Sequence, residues 1–183
     1  MKYDKIMFWF DMDGTLYDLY KIPNWLERLR NYDITVYGEE HQVISRGLQV
    51  VRYIEGIKYD YALKDNLKNI EIDLGTITWG SKVANYSFNM QTALTKRSWL
   101  IACGMDELAK HNYYCLPYGI PKHEVAQWHD YKISTKQTTL HILFDDNKEI
   151  RAEWRAQGAN YKTINANRNM VKQLQALLDK TLN

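Results

Sequence analysis

The chain has 183 residues, 45% hydrophobic and 25% charged, with only nine Gly and three Pro. That is an ordinary globular composition, long enough for one domain with a real core and a small insertion. Twenty-four Lys and Arg against 22 Asp and Glu leave a formal charge of +2 without a long block of either sign, so composition demands neither a membrane nor a nucleic-acid partner. It argues against the latter, because phosphate-backbone binding normally shows a basic footprint.

The chain opens MKYDKIMFWFDMD, an acidic residue ahead of a five-residue apolar run. That run is too short for a signal peptide or a membrane span, and the expectation is a soluble, cytoplasmic protein without a membrane partner. Cys103 and Cys115 have the spacing of neither a metal pair nor a disulfide framework. They read as ordinary buried thiols of a reducing compartment.

Residues 6–10, all bulky and apolar, predict a strand buried on both faces. Helices are predicted over 22–32, where Pro23 sits near the first turn, over 42–55, where Ile44, Leu48, Val51 and Ile54 recur at helical spacing, and over 59–68. The next buried strand is 74–78. Roughly sixty residues thus separate the first two strands, far more than a connecting loop needs. The excess reads as a small, mostly helical cap inserted at about 18–68 in a single domain spanning 1–183.

Residues 82–105 are helical in character, followed by a strand at 113–116, a loop at 117–122 and a helix over 122–131. LHILF at 140–144 is another buried strand, 148–157 a helix closed by Gly158, 159–164 a last strand and 170–182 a closing helix. Strands alternating with helices predict an α/β fold with a parallel, doubly wound sheet.

Each apolar run delivers polar residues at or beyond its carboxyl end: Asp11 and Asp13, then Thr78, then Lys122, then Asp145 and Asp146. In a parallel sheet those ends share one edge, where ligands of open α/β sheets bind. Carboxylates so gathered need a cation among them. Asp11, Asp13, Asp145 and Asp146 are the candidate ligands, and a hard ion bound by oxygen, magnesium above all, suits them. A phosphoryl group would then satisfy the cation, Lys122 and Thr78 together.

Each position has a plainer explanation. Thr78 could be an ordinary strand threonine, with Ser81 available for its role. Lys122 could be a solvated loop lysine, with Lys96, Lys132 and Lys136 as competitors. Asp145-Asp146-Asn147 could only cap the helix that follows. Gly75 to Lys82 falls short of a phosphate-binding P-loop because Ser81, not Lys, follows Gly80. The five histidines lack metal-ligand spacing. His141 fits a half-buried strand position, and His123 is a lesser candidate for touching substrate. Tyr17, Tyr20 and Trp25 are aromatic candidates for the pocket, with plain packing of the cap as the alternative.

DxDGT after a hydrophobic strand resembles the first motif of the haloacid dehalogenase-like (HAD) phosphohydrolases, and the later groups follow in that superfamily's order. The resemblance implies its Rossmannoid three-layer fold and assigns roles. Asp11 would be the nucleophile, forming a phosphoaspartyl intermediate, and Asp13 the acid/base. Thr78 would hold the phosphoryl oxygens, Lys122 would offset their charge, and Asp145, supported by Asp146, would bind magnesium. The phrases Asn24-Trp25-Leu26, Ile77-Thr78-Trp79 and Tyr118-Gly119-Ile120-Pro121-Lys122 are similar to a small bacterial and phage branch related to 5'(3')-deoxyribonucleotidases. The implied activity is magnesium-dependent hydrolysis of a nucleoside monophosphate or other small phosphate ester. A phosphatase for nucleic-acid ends or phosphoproteins and a non-catalytic module for phosphorylated ligands are the alternatives, and oligomeric state stays open.

Overall fold

A computed structural model describes residues 2–38, 42–59, 67, 69–82, 85–133 and 138–182. Its centre is β1 (Lys5–Phe10), buried along its whole length. With β2 (Glu71–Trp79), β3 (Tyr113–Leu116), β4 (Thr139–Asp145) and β5 (Tyr161–Asn165) it forms a five-stranded sheet in the order β3-β2-β1-β4-β5. Every pairing is parallel. The fold is α/β, a Rossmann-like three-layer arrangement with the sheet in the middle.

Alternation along β1 sorts the two outer layers. Ile6, Phe8 and Phe10 face a core shared with α2 (Ser45–Tyr59), α3 (Tyr86–Ala102), α4 (Asp106–Ala109) and α7 (Met170–Leu182). Met7 and Trp9 face the opposite side, against Val125 and Ala126 of α5 (His123–Ile133) and Trp154 of α6 (Lys148–Ala156). Such a strand can be uniformly apolar because helices cover both faces of the sheet. His141, a polar side chain that β4 carries into the second layer, is partnered. Trp9 Nε1 donates to His141 Nδ1 at 3.1 Å, and His141 Nε2 lies 3.0 Å from Asp130. An indole N–H can only donate, so His141 carries its proton on Nε2 and gives it to Asp130. His141 is fully buried, deeper than the half-buried position read from the sequence.

From β1 the chain moves outward to β2 and β3, then returns across β1 to β4 and β5. The sheet therefore reverses direction beside β1, and the crevice at the carboxyl ends of β1 and β4 is where such sheets take ligands. Register brings these ends level. Phe10 pairs with Thr76 on one side and Phe144 on the other, and Asp11 N donates to Phe144 O at 2.9 Å.

Most predicted elements appear with shifted ends. Strand β2 begins three residues earlier than expected because Lys5 pairs with Glu71 at 2.9 Å and Asp73 at 3.5 Å, which lets charged residues join the ladder. The second helix, expected over 42–55, is α2 and lies against the sheet through Val50, Val51, Ile54 and Ile57. The crevice is overhung instead by α1 (Trp25–Arg30) and two short 3-10 turns, Leu19–Lys21 and Ile34–Tyr37. The helix expected over 59–68 falls almost wholly outside the described residues, as does Lys136. No described helix is long and apolar enough to cross a membrane. Cys103 and Cys115 form no disulfide among the described residues and are half-buried.

Candidate functional site

Strand β1 ends at Phe10, and the next residues turn at once. Gly14 has a φ of +82°, a left-handed conformation that favours glycine. A Cβ at this position would lie 2.7 Å from Asp146 Cγ and 2.8 Å from Tyr20 Cε2. The turn is therefore pressed against the end of β4, and the bare glycine is what lets Asp11 and Asp146 come together. Asp11, Asp145 and Asp146 each offer a carboxylate oxygen within 4.8 Å of the others. Asp145 is almost fully buried and is braced twice, its Oδ1 accepting from Asn147 N at 2.8 Å and its carbonyl from Arg151 Nη1 at 2.7 Å. Asn147 caps α6 with its own side-chain oxygen, accepting from Glu149 N at 2.8 Å. The two aspartates before it are thus not needed as caps.

Lys122 comes from the loop between β3 and α5, held by Trp79 Nε1 donating to Ile120 O at 2.8 Å. Its ammonium lies 2.6 Å from Asp11 Oδ1, 2.7 Å from Asp145 Oδ2 and 5.2 Å from the centre of the Trp79 ring. A second buried lysine, Lys96 on α3, reaches Asp13 Oδ2 at 2.6 Å, Trp79 O at 2.8 Å and Thr78 Oγ1 at 3.1 Å. Its ammonium also sits 4.7 Å above the Tyr37 ring.

Four carboxylates and two ammonium groups leave the site formally at −2, the charge a divalent cation offsets. The titration of the acids reflects that excess. Burial pushes the Asp145 carboxyl up to about 6; Lys122 opposes the rise and Asp11 adds to it. Asp146 is pushed up to about 7 by burial and then by the charges of Asp11 and Asp145. Burial also raises Asp13, with Lys96 pulling it back and Asp11 pushing it further. Burial alone would lower Lys122, but Asp11 and Asp145 outweigh it and carry the amine up to about 12. An all-oxygen, acidic, partly enclosed donor set of this kind fits a hard cation such as magnesium.

Above these groups lies a cavity of about 340 Å³. Asp11, Asp13, Lys122 and Asp146 form its polar end, Tyr20, Trp25, Leu26, Tyr37, Trp79 and Tyr118 its walls, and Arg30, Ser81 and Lys82 further polar points. Tyr20 and Trp25 meet edge to face at 5.4 Å, and Trp79 and Tyr118 lie 5.1 Å apart.

No family model matches the sequence, and a search of curated proteins finds no match.

The structure brings Asp11, Asp13, Lys122, Asp145 and Asp146 into one place, as expected from strand ends meeting at a common edge. Thr78 is different. It is fully buried, its hydroxyl accepts from Lys96, and it is not among the residues lining the cavity, whereas Ser81 is. Ser81, two residues past the end of the strand, has left the sheet, while Thr78 is still within it. Asp13 is not among the three carboxylates that gather within 4.8 Å of one another; its Oδ2 lies 2.6 Å from Lys96 Nζ. Tyr20 and Trp25 line the cavity; Tyr17 is core, its hydroxyl donating to Val36 O and its ring packed edge-on to Trp99. His123 pairs with Glu153 at 3.3 Å and is not among the cavity-lining residues. The 75–82 stretch that superficially resembles a P-loop is mostly strand β2.

Sequence reading missed the place of Lys96 and the part of Tyr37, Trp79 and Tyr118 in the walls. For Lys96 there was a signal. It stands in the buried stripe Phe88, Thr92, Lys96, Trp99 of α3, and a lysine in a core stripe requires a partner.

Proposed function

We propose that the chain is a magnesium-dependent phosphomonoester hydrolase of the HAD type, with Asp11 as nucleophile. One observation carries the reading: Asp11, Asp145 and Asp146 converge within 4.8 Å at the polar end of an aromatic-walled cavity, with the Lys122 ammonium bridging the first two.

When bound by Asp11, Asp145 and Asp146, magnesium supplies Lewis-acid polarisation of the phosphoryl oxygens. An Asp11 oxygen attacks phosphorus, forming an O–P bond as the ester P–O bond breaks. The Asp13 carboxyl gives its proton to the departing alcohol oxygen. Asp13, now a carboxylate, then takes a proton from water as that water attacks the phosphoaspartate. Inorganic phosphate leaves, Asp11 is again a carboxylate and Asp13 is again protonated. A carboxylate nucleophile needs no deprotonation, so the site's work is placement and charge. Lys122 keeps Asp11 directed and offsets negative charge as the phosphoryl group arrives, and Ser81, which lines the cavity where Thr78 does not, serves as the hydroxyl that meets phosphoryl oxygens.

The walls support a small ester with a flat apolar portion, such as a nucleoside monophosphate, since Tyr20, Trp25, Trp79 and Tyr118 present ring surface beside the acids. We assign the activity to the cytoplasm, a reducing compartment in keeping with two cysteines that form no disulfide among the described residues. The test is phosphate release from p-nitrophenyl phosphate and a panel of nucleoside monophosphates, with and without magnesium. Release that needs magnesium and is lost in Asp11→Asn supports the reading; release unaffected by Asp11→Asn contradicts it.

A further inference from the structure

Lys96 does not belong to the set that holds Asp11, and its surroundings suit one task. It is fully buried on α3, and the hydrogen bonds its ammonium makes among the described residues go to the end of β2 and to the turn after β1. Asp13 Oδ2 receives one N–H at 2.6 Å, while Oδ1 is buried and has no hydrogen-bond partner among the described residues. The orientation of the Asp13 carboxylate therefore rests on a single tie. The lysine itself is held from three further sides, by Trp79 O, Thr78 Oγ1 and the face of Tyr37. Burying an ammonium in a core layer is costly unless it is fully partnered, and here the charged partner among the described residues is the Asp13 carboxylate at the cavity.

We infer that Lys96 is the positioning residue for the acid/base of this site, fixing the Asp13 carboxylate toward the leaving oxygen, with Thr78 acting as a brace for Lys96 and not as a phosphoryl ligand. The inference rests on the phosphomonoesterase reading above. Lys96 exchanges no proton with substrate; it only aims the group that does.

Leaving-group dependence separates aiming from mere folding. A p-nitrophenolate departs with little help from an acid, whereas an alkoxide leaves only as it is protonated. Lys96→Met should lower kcat/KM for glycerol 2-phosphate at least about tenfold more than for p-nitrophenyl phosphate, a fraction of the full general-acid contribution. An equal loss on both esters, or none, overturns the inference. Because Lys96→Met could fail to fold, Thr78→Val provides a second test. It should give a smaller split of the same sign, whereas an equal rise in KM for both esters with weakened inhibition by inorganic phosphate would make Thr78 a phosphoryl ligand and overturn the proposal.

If the wild-type protein hydrolyses neither ester with magnesium, the phosphomonoesterase reading itself fails. The tie remains measurable without turnover. In protein labelled with 15N-lysine, Lys96 should give a slowly exchanging ammonium signal that Asp13→Asn removes while leaving that of Lys122 in place. Persistence of the Lys96 signal in Asp13→Asn would overturn the tie.

Discussion

The Lys122 ammonium stands between Asp11 and Asp145, 2.6 Å from one carboxylate and 2.7 Å from the other. The two acids belong to neighbouring strand ends, and the lysine arrives from a third connection, so a single cation joins three parts of the sheet edge. Lys122→Met should leave two buried carboxylates without their counter-charge. The expected cost is about 3–5 kcal/mol, the scale of breaking a buried pair from one side. Urea unfolding of the metal-free protein measures it, and phosphate release should fall with it.

Magnesium should stabilise the folded chain through Asp11, Asp145 and Asp146. At roughly 100 times its dissociation constant the gain is about 2.7 kcal/mol by mass action. Thermal unfolding with and without the ion reads it directly. In Asp145→Asn the gain should disappear; an undiminished gain would place the ion elsewhere.

Gly14→Ala tests the close approach of the turn to β4. The new methyl must occupy space 2.7 Å from Asp146 Cγ, at a φ of +82°. A left-handed non-glycine residue costs about 1–2 kcal/mol before any overlap is counted. The variant should unfold at a lower temperature and bind magnesium more weakly, because Asp146 has to move. Calorimetric titration with the ion checks the second effect.

Much of this arrangement could be read from the sequence because of how parallel sheets are built. Residues 6–10 are an unbroken apolar run and 140–144 an apolar run interrupted by His141, and a strand covered on both faces suits such runs in so short a span. Their acids follow directly, so Asp11 and Asp145 meet once the strands pair. Thr78 was harder. A strand end is blurred by a residue or two, and whether a hydroxyl lies in the sheet or past it decides whether it faces Lys96 or the cavity. Lys96 is another matter, since its neighbours come from β2 and the turn after β1, and helical periodicity tells which face it occupies but not what waits there. What α2 packs against was not legible either, because the apolar stripe of a surface helix is satisfied equally by a lid or by the sheet.

Away from the site, Glu107 on α4 accepts from Lys110 at 2.7 Å and from Lys58 on α2 at 3.0 Å. These two partners lower its carboxyl to about 2. Because the folded value lies below the unfolded one, near 4.3, the charged glutamate stabilises the fold above that pH and the contribution fades as pH falls through about 2. Glu107→Gln should therefore lower Tm at pH 7, and the difference from wild type should close on acidification. Equal Tm values at neutral pH would remove Glu107 from the account.

The central claim, that Asp11 itself takes the phosphoryl group, is tested most directly by trapping it. Protein turning over a small phosphate ester with magnesium is quenched in acid, digested and examined by mass spectrometry. The peptide containing Asp11 should carry one phosphoryl group that hydroxylamine removes, and the Asp11→Asn protein should carry none. A phosphoryl group on any other residue, or continued turnover by the Asp11→Asn protein, would contradict it.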